Sequence, residues 1–253
     1  FDIQWWADFR DPWTDIFYNK DLYRTVLAQK KDVSLESKVL QNADGILTTV
    51  GGNFVQKLTI KAPNQKFHIL PNGYDQDLIL SVPKTSIKPF HIVYTGLLTD
   101  NQDYIPVIKV LNEMADHPHI RLSLAGNIND HILENIRQTA PKIEIDFKGY
   151  LPHKEAIALM KSGDLLLNFI FKGADLDMIS GKLLEYLATE VPVLSIGDPQ
   201  SEAGKLLSLA SFAQMIDAED IEAIKAFIEK AFHQKSKARN QMADIKKWSK
   251  TMA

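Results

Sequence analysis

Short apolar segments alternate with longer amphipathic segments along most of this chain. The apolar segments are rich in Val, Ile and Leu, which is typical of strands that are buried on both faces. The strands that this pattern predicts in the second part of the chain are 91–96, 120–126, 143–147, 164–171, 191–196 and 212–216. The segments between them repeat apolar residues at helical spacing, as in 103–115 and 130–139. Strands that alternate with helices predict parallel sheets covered on both faces, and therefore the α/β fold class.

The pattern before residue 80 is similar but less regular. Apolar segments at 1–9, 46–50 and 67–70 predict strands, and helical spacing predicts helices over 14–30, 34–43 and 52–61. The stretch 74–89 has no clear period and contains Pro83 and Pro89, so it predicts a boundary. We therefore expect two domains, over residues 1–80 and 88–253, with the first incomplete.

Glycine follows three of the predicted strands, at Gly96, Gly126 and Gly149. Ligands of parallel α/β sheets bind at the carboxyl ends of the strands. Glycine there lets a ligand or another segment approach the backbone closely. We expect Gly96 in particular to lie at a ligand.

The stretch 177–198 concentrates most of the candidate chemistry. A helix is predicted to open at Ser180 or Gly181, where free backbone N–H groups and the helix dipole favour an anion such as a diphosphate. Lys182 supplies positive charge, and Glu185 lies off the apolar face, where its carboxylate can accept two hydrogen bonds from a ribose diol. A purely structural interpretation stays open: Ser180 caps the helix, Gly181 permits its start, and Glu185 interacts with the dipole.

Composition narrows the classes of function. The chain has 253 residues, of which 45% are hydrophobic and 24% charged, and its net charge of -3 with dispersed basic residues predicts no nucleic-acid partner. The absence of cysteine excludes disulfides and thiolate metal sites and fits a reducing cytoplasm. No apolar run approaches the roughly 20 residues of a membrane-spanning helix, and no signal peptide is recognised. The chain starts at Phe1, without Met, and we expect that a preceding segment was removed.

The segment 180–194 resembles the donor-binding signature of glycosyltransferase family 4, which has the GT-B fold. Other segments resemble this family in the same order: 8–14 and 43–49 resemble the late part of its N-terminal domain, and 71–75 resembles its interdomain turn. Residues 91–97 and 122–126 resemble the first strands of its donor domain. The resemblance implies two Rossmann-like domains, of which the C-terminal one binds a nucleotide-sugar and the N-terminal one the acceptor.

The resemblance also implies roles for residues. Glu185 holds the ribose, Ser180, Gly181 and Lys182 hold the diphosphate, and Asp177 lies beside the transferred sugar as the catalytic residue, where the family usually has Glu. Members are typically retaining and need no metal or other cofactor.

The chain departs from the family pattern in two ways. The family usually has an Arg and a Lys after the strand that matches 91–96, whereas here no cation appears before Lys109. We expect Lys182, with Lys172, to stabilise the leaving diphosphate instead. Residues 1–80 resemble only the second half of the acceptor domain, so we expect a fragment that retains donor binding while losing transfer.

Weaker signals have simpler alternatives. The Asp-x-Asp pairs at 75–77 and 175–177 fit a metal-held diphosphate, but chance matches are expected among 32 acidic residues. His117 and His119 have a spacing that could bind a metal, but no third ligand lies near them in the sequence, and a solvated loop is the simpler interpretation. The other candidates for ligand contact are Arg10, His153, Trp5, Trp6 and Trp13. A local role at the helix start is preferred for His153 and core packing for the tryptophans, whereas a local ion pair is at least as good an interpretation of Arg10.

The expected function is that of a glycosyltransferase of the hexosyltransferase type in surface polysaccharide biosynthesis. It would transfer a sugar from a nucleotide-sugar donor to a glycan or lipid-linked acceptor, with retention and without a metal. We expect a cytoplasmic protein, with peripheral association at the inner face of the membrane left open. Two alternatives stay open, a sugar-nucleotide 2-epimerase of the same fold and a non-catalytic GT-B-like scaffold.

Overall fold

The computed structural model of the chain describes residues 3–85, 89–115, 119–174 and 176–234, without the side chains of residues 20, 21 and 234. The chain divides into two compact units, residues 1–72 with 173–179 and residues 73–172 with 180–253. Each unit contains a sheet whose strands are all parallel. This confirms the predicted α/β fold class with parallel sheets. The predicted domain bounds, 1–80 and 88–253, stay a prediction.

The first unit is built on a three-stranded sheet in the order β1-β2-β3. Its strands are β1 (Trp6–Phe9), β2 (Gly45–Thr48) and β3 (Phe67–Ile69), and its helices are α1 (Val26–Asn42) and α2 (Gly52–Lys61). The helices connect successive strands, as parallel pairing requires. Their apolar faces form one core with the sheet, through Phe9, Leu40, Ile46, Phe54 and Leu58.

The predicted helices 14–30 and 34–43 are wrong. A short 3-10 segment (Phe17–Asp21) precedes a single helix, α1, which runs without a break through residue 34. The Thr25 hydroxyl accepts a hydrogen bond from the backbone N–H of Ala28, so Thr25 is the cap that fixes the start of the helix.

A buried carboxylate joins the two helices of the first unit. The side chain of Glu36 on α1 is 1% exposed, and it accepts a hydrogen bond of 2.8 Å from the Lys61 ammonium at the end of α2. Lys61 also contacts Asp15 at 2.7 Å. Burial lowers the pKa of Lys61, but its hydrogen bonds to Asp15 and Glu36 outweigh that effect and raise the pKa overall. The buried carboxylate of Glu36 is therefore paired with a cation, and that cation has a second, more exposed partner in Asp15.

The second unit contains a six-stranded sheet in the order β6-β5-β4-β7-β8-β9. The strands are β4 (Phe90–Thr95), β5 (Ile120–Ala125), β6 (Glu144–Phe147), β7 (Leu165–Phe169), β8 (Val193–Ile196) and β9 (Ala213–Ile216). The chain builds the sheet outward from β4 through β5 to β6, and then crosses to the other side of β4 for the remaining strands. This reversal makes the carboxyl ends of β4 and β7 the switch point where such sheets bind ligands.

Helices cover both faces of this sheet. They are α3 (Gln76–Ser81), α4 (Ile105–Met114), α5 (Asp130–Thr139), α6 (His153–Ser162), α7 (Gly181–Ala188), α8 (Glu202–Ser208) and α9 (Ile221–Gln234). Every residue of β4 and β7 is buried, which explains their nearly continuous apolar sequence. The bounds of α5 agree with the predicted 130–139, and Pro152 is the N-cap before His153 at the start of α6.

Helix α3 lies inside the stretch predicted to lack regular structure. The Asp75 carboxylate caps its start by accepting a hydrogen bond of 2.9 Å from the N–H of Leu78. At its other end the Lys161 ammonium, on α6, donates hydrogen bonds to the carbonyls of Ile79 and Val82. A cation at carbonyls that lack helical partners stabilises the helix end. The helix thus depends on a residue far along the chain, which its own sequence does not reveal.

Replacement of Lys61 tests the buried ion pair of the first unit. In Lys61→Met the carboxylate of Glu36 stays buried without its cation, which should lower the free energy of unfolding by about 3 kcal/mol. Urea denaturation, followed by tryptophan fluorescence, measures the change. The control is Lys66→Met, since Lys66 is exposed and close in sequence. Equal effects of the two substitutions would contradict the account.

His91 on β4 makes the second unit sensitive to acid. Its ring is buried between the carbonyl of Ser162, 3.1 Å from Nδ1, and the hydroxyl of Ser123, 2.8 Å from Nε2. Burial lowers the pKa of His91 from its usual 6.5, although the bond to Ser162 and the nearby Asp164 oppose the shift. The unfolded chain then takes up this proton more readily than the folded chain. The stabilisation by neutral His91 is present above about pH 6.5 and is lost as the pH falls.

We therefore expect the thermal unfolding temperature to fall between pH 7 and pH 5, and to fall less in His91→Asn. The exposed His131 provides the control, since His131→Asn should keep the pH dependence of the unsubstituted chain. Differential scanning calorimetry at several pH values measures these slopes. A His91→Asn slope as steep as that of the unsubstituted chain would refute the assignment.

Candidate functional site

Three glycine turns pack against one another at the carboxyl edge of the second sheet. Gly96, Gly126 and Gly149 have φ values of 124°, 121° and 65°. The Gly126 N–H donates to the carbonyl of Gly149 at 2.7 Å. A Cβ on Gly126 would lie 2.1 Å from the carbonyl oxygen of Gly96, which no side chain tolerates. The loops after β4, β5 and β6 are therefore held together through bare backbone.

The side chain of Lys182 crosses the turn at Gly96. A Cβ built on Gly96 would lie 3.3 Å from both Cδ and Nζ of Lys182, so a larger residue would displace the ammonium. Lys182 is the second residue of α7, which begins at Gly181 with Ser180 as its N-cap. The structure thus brings Gly96, Ser180, Gly181 and Lys182 together at the switch point of the sheet, and their binding of a ligand stays a prediction.

Two aromatic rings hold the ammonium of Lys182. Its Nζ lies 4.4 Å from the ring centroid of Tyr94 on β4 and 5.6 Å from that of Tyr186 on α7. The hydroxyl of Tyr186 accepts a hydrogen bond of 2.8 Å from the N–H of Thr95, which fixes the ring against the end of β4. Aromatic faces attract a cation but do not neutralise it.

No carboxylate of the described residues contacts this ammonium. The residue keeps part of its surface accessible, yet burial lowers the pKa of Lys182 to about 7. An anion that contacts the ammonium would raise the pKa again and would stabilise the charged form. Lys182 is therefore well suited to bind an anion supplied from outside the chain.

Ser180 contributes a second unpartnered polar group beside Lys182. Its hydroxyl oxygen is buried and has no hydrogen-bond partner among the described residues. Although Ser180 occupies the N-cap position, its side chain makes no cap hydrogen bond, so the structural interpretation of Ser180 as a capping side chain is wrong. Buried hydroxyls in folded proteins are almost always satisfied by protein, water or ligand. A ligand oxygen at the start of α7 would satisfy this one.

Glu185 lies on the same helix, about one turn after Gly181. Its side chain is 20% exposed, and Oε1 lies 2.8 Å from Nε2 of His153, the first residue of α6. The sequence predicts an exposed carboxylate here and prefers a purely local role for His153. The sequence does not predict this contact between His153 and Glu185, because 32 residues separate them along the chain.

Lys172 is positioned differently from Lys182. Its ammonium forms an ion pair of 2.9 Å with Asp103, and both side chains are nearly half exposed. Asp103 belongs to the loop after β4. In that loop Asp100 also pairs with a basic side chain, since its Oδ2 lies 2.7 Å from Nε2 of His131. The donor-binding role of Lys172 stays a prediction, and it would require Asp103 to share its cation with a ligand.

Asp177 belongs to the first unit and is buried there. Its carboxylate accepts a hydrogen bond of 3.2 Å from the N–H of Asn53, in the first turn of α2. The segment 173–179 thereby packs on the first unit, although it is separated from α2 by more than a hundred residues. The catalytic role of Asp177 stays a prediction, and its Asp-x-Asp neighbour, Asp175, lies outside the described residues, as does His117.

A cavity of about 140 Å³ lies beside Asp177 in the first unit. Arg10 follows β1, Thr49 follows β2 and Asn72 lies just beyond β3, so the polar lining comes from the carboxyl ends of this sheet. Apolar walls are contributed by Phe17, Phe54 and Met178 among others. Mixed linings of this kind suit a small hydroxyl-rich ligand.

Within the described ranges, no group of three His, Cys, Asp or Glu side chains is arranged to hold a metal ion. Across those ranges, too, no helix has both the length and the apolar character needed to cross a bilayer.

Comparison with solved structures identifies the fold. The chain is similar to sucrose-phosphate synthase from Thermosynechococcus elongatus, with a TM-score of 0.64 and 15% identity over 98% of this chain and 63% of that one. It is also similar to HepE from Anabaena in complex with UDP-glucose, with a TM-score of 0.61 and 14% identity over 96% and 67%. A glycosyltransferase from Rickettsia africae gives a TM-score of 0.58 and 12% identity over 85% and 59%.

These neighbours are GT-B glycosyltransferases, so the chain has the GT-B type of fold with Rossmann-like units. It spans about 63% of the length of the sucrose-phosphate synthase chain. Comparison of the sequence with protein-family models gives no match, and comparison with curated proteins gives none either. The fold prediction is thereby confirmed, while membership of family 4 stays a prediction.

The state of Lys182 can be measured directly. Reductive ¹³C-methylation of the lysines should give one resonance that titrates near pH 7, because burial lowers the pKa of Lys182 to about 7. Lys182→Arg should remove that resonance and thereby assign it. Lys109→Arg, which replaces an exposed lysine, is the control and should keep the resonance near pH 7. If the resonance lost in Lys182→Arg instead titrates near the usual lysine pKa of about 10.4, the ammonium is solvated and the account of the site is wrong.

Proposed function

We propose that this chain is the donor-binding part of a glycosyltransferase that takes its sugar from a nucleoside diphosphate carrier. The observation that supports the proposal most strongly is the ammonium of Lys182, which lies over Tyr94 and Tyr186 and contacts no carboxylate of the described residues. It lies at the switch point of a parallel sheet and at the start of a helix. A cation in that position favours a phosphorylated ligand.

The diphosphate would use three kinds of donor at the start of α7. The backbone N–H groups of Gly181 and Lys182 precede the first hydrogen bond of the helix, the Ser180 hydroxyl has no partner among the described residues, and Lys182 supplies charge. Gly181 is exposed, and no described atom lies within 4 Å of the position of a Cβ there, which leaves room for the phosphates. Gly96 lets the same ligand approach the end of β4.

Glu185 would bind the ribose of the same ligand. It lies on the helix that begins at the phosphate-binding donors, about one turn further along, which matches the step from a diphosphate to its ribose. A carboxylate accepts from both hydroxyls of a vicinal diol. Asp177 and the cavity of the first unit would serve the transferred sugar and the acceptor, respectively.

In the intact enzyme we propose transfer of a hexose-type sugar to a glycan or lipid-linked acceptor, in the cytoplasm and within surface polysaccharide biosynthesis. The reaction would proceed with retention and without a metal, because Lys182 and the start of α7 can stabilise the leaving diphosphate. Membership of glycosyltransferase family 4 is part of the same proposal and is supported by the motif at 180–194.

A non-catalytic binding module is the second candidate. The loop after β4 carries no Lys or Arg, and its Asp100 and Asp103 pair with His131 and Lys172. Less positive charge at the leaving group favours donor binding over turnover. Release of UDP from UDP-glucose, with and without added acceptors, separates the two candidates.

Binding of UDP-glucose should depend on pH through Lys182. Its pKa is about 7 in the free protein, so the ammonium is charged below pH 7 and loses its proton above it. UDP-glucose keeps a constant charge over this range, and a ligand that requires the charged form should bind up to about 30-fold more weakly at pH 8.5 than at pH 6. Isothermal titration calorimetry measures both affinities.

Two variants define the origin of this dependence. Lys182→Met should bind weakly at both pH values and lose the dependence, whereas Lys109→Met, which removes an exposed lysine, should behave like the unsubstituted chain. An affinity that is unchanged in Lys182→Met would overturn the proposed diphosphate site.

A further inference from the structure

We propose that His153 is a positioning residue that holds the carboxylate of Glu185 in the orientation needed to accept the ribose hydroxyls of a nucleotide. The inference rests on the proposed function, because it assigns the ribose to Glu185. It concerns a residue on a different helix, α6, and it predicts a change in ribose discrimination that loss of fold would not produce.

The contact between the two side chains is close and directional. Nε2 of His153 lies 2.8 Å from Oε1 of Glu185, which is the distance of a charge-assisted hydrogen bond. Nε2 therefore carries the proton and donates it to the carboxylate. The Glu185 side chain is 20% exposed and that of His153 is 54% exposed, so both side chains remain accessible to solvent or to a ligand.

One hydrogen bond to His153 leaves capacity for a diol. An ionised carboxylate has about four lone-pair positions, and His153 occupies one of them on Oε1. Among the described residues no hydrogen-bond partner of Oε2 is found. The two hydroxyls of a ribose can then be accepted by Oε2 and by the remaining position on Oε1. Without His153 the Glu185 side chain would be free to rotate about its three bonds. Binding of the ligand would then have to order that side chain, at a cost in conformational entropy that weakens the affinity.

The backbone around His153 is itself well fixed. Strand β6 is followed by Gly149, whose φ of 65° turns the chain, and by Pro152, whose ring restricts φ and whose carbonyl accepts a hydrogen bond of 2.9 Å from the Ala156 N–H. His153 follows as the first residue of α6. A side chain at the start of a helix that is fixed in this way is a suitable support for a carboxylate on the neighbouring α7.

The chain supplies a matched control in its other helix-start histidine that pairs with a carboxylate. His131 is the second residue of α5, and its Nε2 lies 2.7 Å from Oδ2 of Asp100, with 57% of the side chain exposed. The two pairs have nearly the same distance, and the two histidines are nearly equally exposed, whereas Asp100 is 71% exposed and Glu185 is 20% exposed. They differ in the carboxylate that the histidine contacts, since Asp100 has no proposed role at the ribose.

The test compares UDP with 2′-deoxy-UDP by isothermal titration calorimetry. The unsubstituted chain should bind UDP about tenfold more tightly, which is the effect of one hydrogen bond to a charged group. In His153→Ala the ratio should fall to about threefold or less, through weaker binding of UDP. His153→Gln, whose amide can still donate to Glu185, should restore most of the preference, and His131→Ala should keep the ratio of the unsubstituted chain.

Each result is informative because His153 and His131 are exposed and their variants should keep the thermal unfolding temperature. A tenfold preference retained in His153→Ala, or lost equally in His131→Ala, would refute the positioning role while leaving the nucleotide site intact. Equal binding of UDP and 2′-deoxy-UDP by the unsubstituted chain would refute both the ribose role of Glu185 and the inference. Failure of the unsubstituted chain to bind either UDP or GDP would overturn the proposed function itself.

Discussion

The candidate site depends on a lysine ammonium that two aromatic rings hold and that no carboxylate in the described part of the chain contacts. Lys182 lies over Tyr94 and Tyr186 at the end of β4, and its burial there lowers its pKa. An ion pair within the chain would stabilise the ammonium better in the absence of ligand, but it would also compete with any anionic ligand. The two tyrosines keep the cation in place and leave its charge available, which is the property that a phosphate site requires.

The fold supplies the surroundings that this lysine needs. Parallel strands place the turns at Gly96, Gly126 and Gly149 on one edge, and the bare backbone of these turns allows them to pack closely. The reversal of strand order beside β4 opens the space in front of that edge. Because α7 begins there, its unpaired N–H groups, the Ser180 hydroxyl and the Lys182 ammonium face the same region.

The sequence predicts those strands and helices whose burial pattern is regular and whose stabilising contacts come from nearby residues. Strands β4 and β7 are apolar throughout because both faces are covered, and α5 was predicted within its observed bounds from its amphipathic spacing. It does not allow prediction of α3, since the stabilising contact comes from Lys161. Three contacts of the candidate residues join positions that are distant along the chain, so the sequence does not predict them. They are the contact of Lys182 with the Tyr94 ring, the hydrogen bond from His153 to Glu185 and the hydrogen bond from Asn53 to Asp177.

The central claim is that the free charge of Lys182 serves a nucleoside diphosphate. The most direct measurement is the thermal shift of the chain with UDP-glucose, GDP-mannose and their unphosphorylated nucleosides. A carrier present at about 100 times its dissociation constant should stabilise the folded chain by about 2.7 kcal/mol. The account predicts an upward shift of several degrees with at least one diphosphate carrier and none with uridine or guanosine. Equal behaviour of carriers and nucleosides, or no shift with any carrier, would contradict it.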